Sequence, residues 1–110
     1  MITILPEYTL EGGSFTLCED GKELAKCIYE AAPGKGEITN LIYEEGCNFN
    51  RIDGVVRAVL NSLDLRGVTT VKSQNTKLFT DLEKVGFTVN GDIAIINTTE
   101  FFAQPCHGEN

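Results

Sequence analysis

Residues 53 to 66 constrain this chain more than any other segment. Ile52, Val55, Val56, Val59, Leu60 and Leu63 recur at helical spacing on one face, while Arg57, Asn61 and Asp64 fall on the other. The pattern predicts a helix from Asp53 to Arg66, capped by Asn48 or Asn50 and ended by Gly67. Strand-like segments flank it, Glu37 to Glu44 before and Val68 to Val71 after. A second helix follows from Asn75, carrying Leu78, Phe79, Leu82 and Val85 inward and closing at Gly86-Phe87. The two flanking strands are expected to lie parallel in one sheet, joined across the long helix by a right-handed crossover.

The residues before this segment read as antiparallel strands. Met1 to Leu5 is apolar, and Glu11-Gly12-Gly13-Ser14 carries turn chemistry. Phe15 and Leu17, with Thr16 and Glu19 as polar neighbours, mark a half-buried strand, and Asp20-Gly21 the next turn. In Leu24 to Ala31, Ala25, Cys27, Tyr29 and Ala31 share one face and Leu24, Lys26, Ile28 and Glu30 the other. Pro33-Gly34-Lys35-Gly36 reads as a loop. Beyond Phe87, Asn90-Gly91 predicts a tight hairpin, because both residues accept positive φ. Thr98 to Phe102 starts a helical turn, and residues 104–110 read as a C-terminal tail. The expected fold class is α+β, a mixed and mostly antiparallel sheet with two principal helices.

A length of 110 residues makes residues 1–110 one domain, without repeats or linkers. Apolar residues at 42% and charged residues at 23% describe a globular chain rather than a disordered one. Nine Lys and Arg stand against sixteen Asp and Glu, a net charge of -7, which excludes the broad basic footprint of a nucleic-acid binder. No apolar run reaches the length of a membrane span. The first residues lack the basic start and apolar core of a secretion signal, so a cytoplasmic location is expected. Cys18, Cys27, Cys47 and Cys106 have no metal-binding or redox spacing and read as reduced thiols.

The order from Gly36 to Phe87 (strand, loop, amphipathic helix, short strand, helix ending in Gly-Phe) resembles the acyl-CoA-binding half of the GNAT, or acyl-CoA N-acyltransferase, superfamily. The resemblance covers about half of the chain and implies a shortened version lacking the usual N-terminal helical segment. It implies that acetyl-CoA or another acyl-CoA is the cosubstrate and that an amine accepts the acyl group. The alternative is a GNAT-derived module that binds a small ligand or a protein without catalysis. No metal is implied.

Residue by residue, the resemblance places the pantetheine arm along the strand that includes Leu41, Ile42 and Tyr43. The pyrophosphate loop of the family, Gln/Arg-x-x-Gly-x-Gly/Ala, falls on Cys47, Asn48, Phe49, Asn50, Arg51 and Ile52. Asn50 and Ile52 stand where the family has small residues, so their side chains are expected to obstruct close backbone approach, with Arg51 as a compensating charge. Asn75 matches the asparagine that holds the pantetheine region, and is equally suited to cap a helix. Leu82 replaces the tyrosine that protonates the leaving thiolate and cannot donate a proton. No catalytic residue is assigned, although Glu37 and Glu44 are the nearest candidate bases. Tyr43 also reads as a packing residue.

Two further expectations come from the residues themselves. Cys47, just before a helix N-terminus, should be a more acidic and more reactive thiol than Cys18 or Cys27, and proximity to Cys106 and His107 would extend its chemistry. An open sheet edge and missing helical cover predict a homodimer, with Phe49, Phe101 and Phe102 as candidate contacts.

Overall fold

A computed structural model describes residues 1–103. The expected tail, with Cys106 and His107, lies outside the described residues. Seven strands form one sheet: β1 (Ile2–Thr9), β2 (Gly12–Glu19), β3 (Lys22–Ala32), β4 (Lys35–Tyr43), β5 (Thr70–Ser73), β6 (Thr88–Asn90) and β7 (Ile93–Asn97). Their order is β1-β2-β3-β4-β5-β7-β6. The first four pair antiparallel in sequence, β5 joins parallel to β4 as expected, and β7 and β6 close the far side antiparallel. The mixed, mostly antiparallel α+β class is therefore observed.

Three turns depart from the sequence reading. The first is Leu10-Glu11, with Gly12 and Gly13 inside β2 rather than before it. A side chain on Gly12 would run into the backbone carbonyl of Tyr29, so glycine is needed there for close strand approach, not for a bend. Pro33-Gly34 is a two-residue turn, and Gly36 lies within β4, where an added Cβ would sit 2.7 Å from Leu63 Cδ1. The last hairpin turns on Gly91-Asp92, since Asn90 pairs with Ile93; among the two turn residues only Gly91 has positive φ.

The long helix, α1 (Phe49–Leu65), buries Ile52, Val55, Val56, Val59, Leu60 and Leu63, the stripe expected for it, but starts four residues early. Asn48 caps it by accepting from the Asn50 amide at 2.8 Å. At the other end Gly67 N–H bonds to Asp64 and Val68 N–H to Leu63, a Schellman closure. That closure uses Val68, which moves the following strand from the expected Val68–Val71 to Thr70–Ser73. After a 3-10 turn at Thr76–Leu78 come α2 (Phe79–Val85) and α3 (Thr98–Ala103).

The core lies between α1 and the face of the sheet bearing Phe15, Leu17, Ala25, Cys27, Tyr29, Ile38 and Leu41. Buried Thr98 Oγ1 sits 2.9 Å from an Asp64 carboxylate oxygen and 3.1 Å from the Val68 carbonyl, holding α3 against the end of α1. At the sheet edge, Asp20 N–H bonds to the Met1 carbonyl, so by alternation Pro6 turns its nitrogen away from β2. A proline on the outer side of an edge strand interrupts any further pairing there.

Candidate functional site

The sheet opens between β4 and β5. These strands are in register only at Gly36–Val71 and Glu37–Lys72. Just beyond, the pairing of β3 with β4 slips by one residue, from Tyr29–Ile38 to Ile28–Asn40, which makes Thr39 a bulge. The bulge bends β4 away, and side chains replace the missing ladder. Ser73 Oγ donates to the Ile38 carbonyl at 2.8 Å, and Asn75 Nδ2 donates to the Thr39 carbonyl at 3.1 Å. Asn75 Oδ1 meanwhile accepts from Lys77 N–H, capping the 3-10 turn. Asn75 is thus a cap, as expected, and it also bridges to β4.

Past the bulge β4 faces the gap alone. Glu44 N–H bonds to the Leu24 carbonyl, so by alternation Asn40, Ile42 and Glu44 turn their backbone groups toward β3. Leu41 and Tyr43 turn theirs into the gap, where Leu41 N–H donates to the side-chain oxygen of its neighbour Asn40 at 2.9 Å. Ile42, also expected to bind, spends its backbone on β3, and its exposed side chain lies on the helix-free face.

The wide end of the gap meets the N-terminus of α1. The Tyr43 hydroxyl donates to Asp81 Oδ2 at 2.7 Å, crossing from β4 to α2. This hydrogen bond, with partial burial and the Asp81 and Cys47 charges, raises the Tyr43 phenol above its ordinary pKa. Lys84 Nζ stands 5.5 Å from the centre of the Phe49 ring, a cation beside the start of α1 that sequence reading missed. The amides of Asn50, Arg51 and Ile52 are already bonded to Asn48, and Arg51 is paired with Glu19 at 3.3 Å.

Several expectations change here. Phe49 through Ile52 form the first turn of α1 rather than a loop. Ile52 is buried in the core, so its side chain does not stand between the backbone and solvent, whereas Asn50 is exposed. Cys47 is not acidified. Partial burial, with the Glu44 charge, lifts its thiol above the usual range despite the opposing pull of Arg51. Its Sγ also lies 3.7 Å from the Asn48 carbonyl. Glu37 sits in the paired part of β4, and Glu44 is tied to Lys22 at 3.2 Å on the surface. Leu82 is fully buried. Phe49 and Phe101 pack against the core, the latter under Arg57 at 4.7 Å, leaving Phe102 the most exposed of the expected dimer contacts. Among the described residues no cluster of His, Cys, Asp and Glu is placed to hold a metal.

No family model matches the chain, and no curated protein matches it in sequence. Its fold does match solved structures. Over 94% of this chain and 77% of the other, it superposes on the ribosomal-protein-S18-alanine N-acetyltransferase of Escherichia coli with TM-score 0.67 and 15% identity. A GNAT family acetyltransferase of Elizabethkingia anophelis with acetyl-CoA bound matches with TM-score 0.72 and 10% identity, over 87% and 97% of the two chains. The PaiA N-acetyltransferase of Thermoplasma acidophilum, in complex with coenzyme A, matches at 0.67 and 15%, over 80% and 62%. At these identities the likeness concerns the fold: the chain has a GNAT-like α+β fold.

Proposed function

We propose that this protein binds an acyl-CoA in the gap beside β4 and transfers the acyl group to an amine. The observation that supports this is the stretch of β4 that has no strand partner on its β5 side, leading from Asn75 to the start of α1. From Thr39 to Tyr43 it extends about 13 Å at ~3.3 Å per residue, a stretch suited to an extended pantetheine arm. In this reading the Leu41 carbonyl and the Tyr43 backbone bond to the arm as a missing strand would, Asn75 fixes the narrow end, and the residues Asn48, Phe49, Asn50, Arg51 and Ile52 meet the pyrophosphate. Arg51 and Lys84 supply the cations. The amine, uncharged when it reacts, adds its nitrogen to the thioester carbonyl carbon. A C–N bond forms, the C–S bond breaks, the sulfur leaves as thiolate, and the nitrogen gives up a proton to solvent. Calorimetry with acetyl-CoA and longer acyl-CoAs tests the reading; no heat at high micromolar ligand overturns it.

A second reading, a GNAT-derived binding module without catalysis, is favoured by the buried Leu82 and by the first-turn amides already bonded to Asn48. Binding of acyl-CoA with no release of free thiol across a panel of amines selects it. We further propose a cytoplasmic protein that pairs as a homodimer, supported by the apolar side chains exposed on β1 and by Phe102. Pairing uses a face rather than the β1 edge, where Pro6 intervenes. Sedimentation at low micromolar concentration checks the dimer, and a clean monomer removes it.

A further inference from the structure

The helix-free face of the sheet holds a hollow of about 370 Å³ that runs from β1 to the Thr39 bulge. Gly13 and Ser14 leave its floor low, and Ile28 gives it an apolar strip. Glu7, Glu11 and Glu30 line it against a single cation, Lys26, an excess of two negative charges. Acidic lining alone is common on a chain of this net charge. Ser14 is what distinguishes this place. Its side chain projects to this face, opposite in alternation to core residue Phe15, and the residue is only 6% exposed. Its hydroxyl has no hydrogen-bond partner among the described residues, yet it is not cut off from solvent, so what exposure it retains opens into the hollow. A hydroxyl on so enclosed a residue, reached only from the hollow, has its bond completed by water or by a ligand that enters there.

We infer that this hollow is the acceptor site of the proposed transferase and takes a small aliphatic diamine or polyamine. The inference rests on the acyl-transfer reading for its purpose and on the hollow alone for its chemistry. Carboxylates hold one ammonium group and thereby keep it protonated and unreactive. A monoamine docked in this way presents no free nitrogen. A molecule with a second amine lays its methylenes along Ile28 and delivers that second nitrogen toward Thr39, where the sheet opens. Ser14 accepts from the anchored ammonium. The bulge that opens the acyl-CoA gap on one side is thus also the inner wall of the amine hollow.

The test is a pair of separate titrations followed by backbone amide shifts, one with spermidine and one with acetyl-CoA. Spermidine is expected to move the amides of Ser14, Ile28, Glu30 and Thr39 and to saturate. A Glu7→Gln/Glu30→Gln double variant should weaken spermidine at least tenfold and leave acetyl-CoA binding unchanged; Ser14→Ala should weaken spermidine severalfold. Acetyl-CoA binding without spermidine binding overturns the inference and leaves the transferase reading standing. Spermidine binding without acetyl-CoA binding removes that reading and supports the amine site. Equal spermidine affinity in the double variant, or tighter binding of a lysine-containing peptide than of spermidine, overturns the assignment.

Discussion

The hydroxyl of Tyr43 donates to the carboxylate of Asp81 at 2.7 Å, a bond between residues 38 apart that ties the end of β4 to the first turn of α2. It crosses the wide end of the gap, where the sheet itself no longer joins the two halves. The acceptor's charge has a measurable consequence. Asp81 makes loss of the phenolic proton harder, so Tyr43 ionises above the ordinary tyrosine range.

Asp81→Asn is expected to lower the ionisation pH of Tyr43. The phenolate absorbance of each protein, minus that of its Tyr43→Phe counterpart, isolates this group. The sign for stability follows from the raised value. The folded state holds the proton more tightly than the unfolded state, so the contribution is complete below about pH 10. It is lost as pH rises through the folded phenol's pKa. Unchanged ionisation in Asp81→Asn shows that the bond does not persist in solution.

The cysteines should react in an order set by burial. Cys27 is fully buried, which pushes its thiol far up, so it should resist iodoacetamide at every pH in folded protein and label only in denaturant. Cys47 is raised for the same reason to a smaller degree, and its labelling rate should climb at higher pH than that of a free thiol. Mass spectrometry after labelling from pH 6 to 9 reads both. A Cys47 that labels faster than a free thiol at pH 7 restores the acidic thiol expected from its helix-terminal position.

Asn75 does two jobs that substitutions separate. Asn75→Ala removes the cap on the 3-10 turn and the bond to Thr39, for a loss of about 2 kcal/mol. Asn75→Asp keeps an acceptor for the Lys77 amide and loses only the donor to Thr39, about half of that. Urea midpoints at constant slope give both values. Equal losses would mean that the cap contributes nothing, and no loss in Asn75→Asp that the Thr39 bond contributes nothing.

Gly36→Ala should destabilise by ~1–3 kcal/mol, since its new methyl would crowd the Leu63 side chain. Adding Leu63→Val relieves the clash but leaves less apolar packing, so the double variant should lose less than the sum of the single changes. Additive losses in thermal or urea unfolding would show that the two side chains do not meet.

What the sequence determined by itself was local. The stripe from Ile52 to Leu63 and Gly67 after it define α1 because helix burial and helix stops depend on spacings of a few residues. The alternation in β3 sorts Ala25, Cys27 and Tyr29 onto the core face for the same reason. The sequential order of the first four strands follows from short turns. The tertiary structure decided everything that depends on distant parts of the chain. Gly36 and Gly12 look like turn residues until a helix side chain and a neighbouring carbonyl are seen against them. Cys47 looks like an acidic thiol until its burial is counted, because desolvation there outweighs the pull of Arg51. The bulge at Thr39 exists only as a slip between two strands. The Asn75–Thr39 and Tyr43–Asp81 bonds join residues 36 and 38 positions apart, beyond the reach of any periodicity.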